Sequence, residues 1–441
     1  MPRVALVVLD TLRYDAFDAH FDWLPGKRFA HAYSPSHRTP PVHAAMFCGK
    51  YASELGVYAG ADALDCPEPT LAEALSDAGV RTRAFSANTY ITEHFGFDRG
   101  FDEFERPWQL DSLDDDIFDW QAHVDDSRFD PPLSYLSGIA RCLIGEKRTW
   151  RSLQDAIKRF SARQGWFGLG DDGAEECLGY LRDTDFDDDE FVFCNLMEAH
   201  EPYEPPEAYR TTDLGWLPTT AEIALGEESY DAETVRQAYD DSVRYLSDRY
   251  EEIFTVLDDQ FDYVITCADH GELFDRDGLW GHFYGVYPEL TRVPLVVSGT
   301  DVGATDCEAV VSLLDVHRTV AELFDVDVES RGRSLLCDVK GRSYLTESHG
   351  IAEKRLDAVR SKGERQRAQQ YRRSLTGFAT PPSYYGYETP AAFVETGTVA
   401  IDAPYDRMVS LRDSLDTPSD GSAEGEVSGS VQSRLEDLGY V

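Results

Sequence analysis

The stretch Phe261-Asp-Tyr-Val-Ile-Thr-Cys-Ala-Asp-His-Gly-Glu272 constrains the fold more than any other in this chain. Its apolar run, with Val264, Ile265 and Cys267, reads as a short strand buried on both faces. The run stops on Asp269-His270-Gly271, where the glycine permits a sharp turn past the strand's carboxyl end. Strands of this kind build open parallel α/β sheets, in which ligands bind beyond the carboxyl ends. Two further apolar runs finish alike. Arg3-Val-Ala-Leu-Val-Val-Leu9 runs into Asp10, and Phe191-Val-Phe-Cys-Asn-Leu-Met197 runs out to His200. These ends offer Asp10, His200, Asp269 and His270, a carboxylate and imidazole set suited to a divalent metal. A single Asp in such a place could equally cap the element that follows, but the set of strand ends favours the metal.

The length, 441 residues, suits one large α/β domain with an appendage, or two domains. Asp and Glu number 82 against 41 Lys and Arg, a net charge of −41. Such a balance repels phosphates and excludes nucleic acid as the main partner. The acid runs along the whole chain rather than in one tail, the pattern expected of a globular protein adapted to high salt, where self-repulsion is screened. The eight cysteines form no Cys-x-x-Cys pair, and Cys194 and Cys267 fall inside buried strands. They read as small apolar core residues rather than a disulfide frame. The chain enters its first strand without a leader-like segment, and no apolar run reaches membrane-spanning length, so a cytoplasmic location is expected.

Taken in order, strand one is followed by Ser34-Pro-Ser-His-Arg-Thr-Pro-Pro-Val-His-Ala-Ala-Met-Phe-Cys-Gly49. Pro40 and Pro41 suit the first turn of a helix that ends at Gly49. Thr39 then stands at or beside its N-cap, facing the positive end of the helix dipole. That is an anion site, and a metal can activate a hydroxyl placed there. The rival reading is a plain Thr cap. Helix at 69–79, strand at 81–87, helix at 232–257, strand at 293–299 and helix at 311–324 continue the βα alternation. Gly278-Leu-Trp-Gly-His282 reads as a loop able to carry His282 over the strand ends. Residues 141–163 read as a basic amphipathic helix that could meet a membrane surface or a glycan. A second Arg-rich helix is expected at 353–373 and strands at 393–411. The domain reading is a catalytic α/β unit over 1–340 and a small α+β subdomain over 341–415. A flexible acidic linker over 416–430 follows, then a docking segment over 431–441.

In order along nearly the whole chain, these landmarks resemble the sulfatase family of the alkaline phosphatase superfamily. Leu9-Asp10-Thr-Leu-Arg-Tyr-Asp15 is similar to the family's first metal-binding strand end, and Thr39 to Gly49 to its nucleophile helix. His200-Glu-Pro-Tyr203, Asp269-His270-Gly271-Glu272, Gly278 to His282 and the closing Leu435-Glu-Asp-Leu-Gly-Tyr-Val441 are similar to further landmarks. The resemblance implies an alkaline-phosphatase/sulfatase-like sandwich, with a mostly parallel central sheet and helices on both faces. The departures matter most. The formylglycine motif requires Cys or Ser in Cys-x-Pro-x-Arg, whereas this chain has Thr39, Val42 and His43. Thr cannot be oxidised to an aldehyde hydrate. Thr11 replaces a second Asp common in calcium sulfatases, and Asp269-His270 replaces an Asp-Asn pair. Asp, Thr, Asp and His are instead similar to the ligands of the superfamily's phosphatases and phosphodiesterases.

The resemblance therefore implies a hydrolase of phosphate or sulfate esters that works through a covalent Thr intermediate. Asp10, Thr39, Asp269 and His270 are the expected ligands of one divalent cation, zinc, manganese or calcium, with a second left open. His43, His200 and His282 join Thr39 as expected catalytic residues, contacting the ester oxygens or the leaving group. The expected substrate is an anionic ester of a sugar, a lipid headgroup or a small molecule. Two alternatives stand beside it: a transferase moving a phospho-group to a sugar or lipid, and a non-catalytic binding protein.

Overall fold

The computed structural model describes residues 2–108, 110, 171–212, 231–336, 339–361, 363–397 and 399–417. The strands in chain order are β1 (Arg3–Leu9), β2 (Lys27–Tyr33), β3 (Arg81–Ser86), β4 (Glu103–Glu105), β5 (Glu190–Leu196), β6 (Tyr263–Cys267), β7 (Leu273–Arg276), β8 (Leu279–Gly281), β9 (Leu295–Gly299), β10 (Thr305–Ser312), β11 (Tyr344–Ser348), β12 (Leu375–Thr380), β13 (Tyr384–Glu388) and β14 (Phe393–Thr396). Eight of them form one sheet in the order β10-β2-β9-β6-β1-β5-β3-β4. All its pairings are parallel except those of β9, which runs antiparallel between β2 and β6. Every residue from Val4 to Leu9 is fully buried, so both faces of β1 are covered, as its unbroken apolar run demands. The helices fall into groups packed among themselves. Ala174–Asp183 and Tyr14–His20 lie against the long helix Ala232–Gln260, while Leu71–Asp77 and Leu314–Leu323 lie against Thr39–Cys48. This is the α/β sandwich expected.

The long helix shows why such a stretch folds as it does. Asp231 caps it by accepting the Thr234 N–H at 3.2 Å, and Val235, Tyr239, Leu246, Tyr250, Ile253 and Leu257 form its buried stripe. β11 to β14 make a separate antiparallel sheet with its own apolar cluster around Tyr344, Phe378, Tyr385 and Met408.

The register sets the functional edge. Val8 of β1 pairs with Asn195 of β5 and with Cys267 of β6, all parallel. Asp10, the residues after Leu196, and Asp269 therefore leave the sheet at the same end.

Several expectations are corrected. The loop at 278–282 is half of a hairpin, because β7 and β8 pair through Leu273↔Gly281 and Arg276↔Leu279. The helix expected over 311–324 begins at Leu314, since residues up to Ser312 extend β10 along β2. The Arg-rich helix breaks into Glu353–Ser361 and Arg365–Tyr371 around Gly363, whose φ of 87° no helix allows. Only Phe393–Thr396 of residues 393–411 is strand. Pro404 there opens a helix to Arg412, its fixed φ suiting a first turn. The basic helix at 141–163, nearly all of the acidic linker, and the last segment lie outside the described residues. Cys48, Cys66, Cys177, Cys194 and Cys267 are buried and unbridged, as core residues would be. Among the described residues, no helix is long and apolar enough to cross a membrane.

Candidate active site and metal centre

β1 and β6 deliver the first groups. One ligand atom each from Asp10, Asp269 and His270 lies within 4.8 Å of the others, and all these residues are buried. Asp10 Oδ1 accepts from Thr11 Oγ1 at 2.8 Å, and Oδ2 accepts from Asn88 Nδ2 at 2.9 Å. Asp269 Oδ1 accepts the N–H of Thr11 at 3.1 Å and of His270 at 2.8 Å. Asp269 Oδ2 accepts no hydrogen bond among the described residues, although it is buried. An orphaned, buried carboxylate oxygen is costly unless a cation completes it. His270 Nδ1 donates to Gly271 O at 3.0 Å, which leaves Nε2 as a lone-pair donor 3.3 Å from that orphan. The donor set, two carboxyl groups and an imidazole nitrogen, fits a divalent metal.

Thr11 and Gly271 show how the backbone makes room for this. Thr11 has a φ of 61°, a strained value for a β-branched residue. Its amide, hydroxyl and carbonyl are all engaged, the last by Tyr239 Oη at 3.0 Å, and these bonds offset the strain. Gly271 is required by close approach rather than by turning. A Cβ there would lie 2.1 Å from Glu289 O.

Thr39 opens the helix Thr39–Cys48 and stands beside the N-cap, which is Arg38, with no side-chain cap present. Its Oγ1 instead lies 3.2 Å from His270 Nε2. Pro40 and Pro41 carry no N–H, so the first turn offers fewer donors to an anion than the sequence reading assumed. The helix ends on Gly49 at φ 67°, where a Cβ would meet His317 Nδ1 at 2.6 Å.

The histidines gather around this point. The His270 and His282 ring centres are 4.5 Å apart, and those of His282 and His200 are 5.1 Å apart. His282 Nδ1 lies 3.3 Å from Glu272 Oε1, and Tyr203 Oη donates to Glu272 Oε2 at 2.9 Å. Burial pushes Glu272 up to about 7 and His282 well below the usual imidazole range. Burial also lowers His200, but Asp10 and Glu201 outweigh it and raise its pKa. His43 sits behind Thr39. Its Nδ1 donates to Thr39 O at 2.9 Å, and Nε2 faces Asn195 Nδ2 at 3.4 Å. Edge-on contacts with Phe47 and Phe193 enclose its ring, and burial lowers its pKa to about 4.

The structure thus brings together Asp10, Thr39, His43, His200, Asp269, His270 and His282. Others were not singled out from sequence. His37 donates through Nδ1 to His282 O at 2.9 Å, and burial pushes it down to about 3. Arg38, next to Thr39 in the chain, pairs with Asp62 at 3.1 Å. Asn88, Asn195 and Glu272 support the ligands and His282. The run His37-Arg38-Thr39 was a readable signal for the first two; Asn88 and Asn195 carried none.

A sequence profile of the Sulfatase family matches residues 6–326. This chain belongs to the sulfatase family. Its sequence is similar to choline-sulfatase of Rhizobium meliloti (strain 1021), 23% identical over 372 residues, covering 74% of this chain and 68% of that one. Its fold is similar to the phosphonate monoester hydrolase of Agrobacterium radiobacter, with a TM-score of 0.62 at 15% identity, covering 94% and 96% of the two chains. Phosphonate monoester hydrolase SpPMH from Silicibacter pomeroyi gives a TM-score of 0.59 at 17% identity, covering 94% of each. As a sulfatase-family protein, it is an ester hydrolase of the sulfatase/phosphatase type. The family is generally metal-dependent, and Asp10, Asp269 and His270 form a group that could hold a metal ion.

Proposed function

We propose that this sulfatase-family protein hydrolyses anionic phosphate or sulfate esters with Thr39 as the nucleophile. Asp10, Asp269 and His270 would hold one divalent cation, with Thr39 Oγ1 as a further ligand. The observation that carries this is the position of Thr39 Oγ1, 3.2 Å from His270 Nε2 and free of any cap role. When bound, the cation lowers the pKa of the hydroxyl and draws charge from the ester oxygen.

Thr39 Oγ1 then attacks phosphorus or sulfur in line, and the bond to the alcohol oxygen breaks. The alcohol leaves with a proton, and water cleaves the phospho- or sulfo-Thr to regenerate Thr39. His282 lies beside His270, and His200 beside His282; both would contact the oxygens of the transferred group or protonate the leaving alcohol. Glu272 orients the His282 ring. Both His43 nitrogens are engaged, so its part is to hold Thr39 and Asn195 in place.

The intermediate bears on the substrate. A formylglycine hemiacetal can expel sulfate by C–O cleavage, whereas a Thr ester has no such exit. Water must attack the central atom, which favours phosphate esters over sulfate esters.

The test is turnover of aryl phosphate, aryl phosphodiester and aryl sulfate by Thr39 variants. Thr39→Ala is expected to abolish turnover with the fold intact, because Thr39 caps nothing. Thr39→Ser keeps the hydroxyl and is expected to retain activity. Wild-type turnover by Thr39→Ala would refute the nucleophile.

A further inference from the structure

The loop that delivers Thr39 is held from two directions. On one side, the Ser34 N–H donates to Thr291 O at 2.7 Å. On the other side, β11 of the second sheet takes hold of the same residues. Thr346 Oγ1 donates to Ser34 O at 2.6 Å, Glu347 N–H donates to Pro35 O at 2.8 Å, and Ser36 Oγ donates to Glu347 O at 2.9 Å. β11 also grips the chain just past the helix Thr39–Cys48. The Leu345 N–H donates to Tyr51 Oη at 3.1 Å, and the Glu347 carboxylate accepts from Ser53 N–H at 3.2 Å and Ser53 Oγ at 2.7 Å. Ser34, Ser36, Thr346 and Glu347 are buried, so water does not compete for these bonds. The clasp itself is fixed. Tyr344 Oη donates to both oxygens of Asp315, at 2.8 and 2.7 Å, and β11 pairs along its length with β12.

We infer that Thr346 and Glu347 are positioning residues for the hydrolysis, setting Thr39 Oγ1 against the metal ligands, so that the second sheet belongs to the catalytic apparatus. The inference rests on the reading of Thr39 as the nucleophile. In-line attack tolerates little displacement, and a misplacement of about 1 Å can cost on the order of a hundredfold in rate. A clasp that only stabilised the fold would shift the unfolding midpoint and leave kcat alone. A clasp that positions the nucleophile lowers kcat while ground-state binding, read in KM, stays nearly constant.

Thr346→Val removes the hydroxyl at nearly constant shape, and Thr346→Ser restores it. With the best-turned-over aryl ester, Thr346→Val is expected to lose about tenfold to a hundredfold in kcat, with KM within about twofold. Thr346→Ser is expected to recover most of the loss. Ser36→Ala, which removes only the bond donated to Glu347 O, carries the same expectation should Thr346→Val fail to fold. Wild-type kcat in a folded Thr346→Val or Ser36→Ala overturns the inference. Thr39→Ala is measured alongside. If it is inactive while Thr346→Val is unimpaired, only the positioning role fails. If it keeps wild-type turnover, the nucleophile reading has failed and takes the positioning role with it.

Discussion

Asp269 works through both of its oxygens, and the two do different things. Oδ1 is committed to the strained Thr11 turn and to the His270 amide, while Oδ2 is left for a cation. Asp269→Asn is therefore expected to lose metal and turnover together, since a ligand charge is removed beside a divalent ion. Asn88 donates to Asp10 Oδ2 without being a candidate ligand itself, so Asn88→Ala is expected to cost roughly 10–100-fold in metal affinity, as the loss of an outer partner does. Asp269→Asn should exceed that. Titration of both variants with zinc and manganese, read calorimetrically, separates the two; equal losses would remove the ligand role of Asp269. Asp10, Asp269 and His270 were readable as candidates because each closely follows an unbroken apolar run, the mark of a strand buried on both faces. Their supports were not. Asn88 comes two residues after β3 and Asn195 lies inside β5, where nothing in the local pattern separates a second partner from an ordinary strand residue. Glu272 was quoted only as part of a landmark, since its service to His282 depends on a hairpin that sequence reading took for a loop.

At the scale of elements, the helix Leu314–Leu323 carries two buried groups whose titrations oppose one another. Burial raises Asp315 from 3.8 to about 6, and burial with Arg318 lowers His317 from 6.5 to about 4. The folded chain holds the Asp315 proton more tightly than the unfolded one, so that group's contribution to stability falls as pH rises from about 4 to about 6. The folded chain refuses the His317 proton that the unfolded chain accepts, so that contribution falls as pH drops from about 6.5 to about 4. Over the shared window the slopes cancel, each about 1.4 kcal/mol per pH unit. In Asp315→Asn, stability is expected to rise with pH more steeply than in the wild type by about that amount. Urea unfolding at several pH values checks it, and parallel profiles for the two proteins would refute it. The same helix shows where element boundaries escape a sequence reading. Val310, Val311, Leu313, Leu314 and Val316 make one largely apolar stretch, and only pairing with β2 decides that the strand continues to Ser312. The central strands were legible because burial on both faces leaves them uniformly apolar. β2, Lys27–Tyr33, begins with charged residues whose partners are distant in sequence, and no alternation announced it. The turn-bounded strands β12 and β13 were hidden in the same way. Their burial against Tyr33, Thr291 and the hairpin appears only once the second sheet docks.

For the molecule as a whole, the excess of 41 negative charges is the dominant long-range term. Self-repulsion disfavours the compact state and is screened by salt, with a Debye length of about 10 Å at roughly 0.1 M. Thermal stability is expected to rise as salt increases from that level into the molar range. A flat or falling melting temperature in calorimetry over the range would remove the high-salt reading. The sheet order adds a consequence for how such a chain is made. β1 leaves the ribosome before every other strand of its sheet, yet it lies inside that sheet, and both of its partners arrive late. Val4 pairs with Phe191 and with Tyr263. At roughly 5–20 residues per second, β1 waits on the order of 10–40 s for its first neighbour. Through that interval Val-Ala-Leu-Val-Val-Leu, with charges only at its two ends, Arg3 and Asp10, has two open edges. The same strand that later anchors Asp10 is thus an adhesive segment of the nascent chain, and its protection during synthesis must come from outside the sheet.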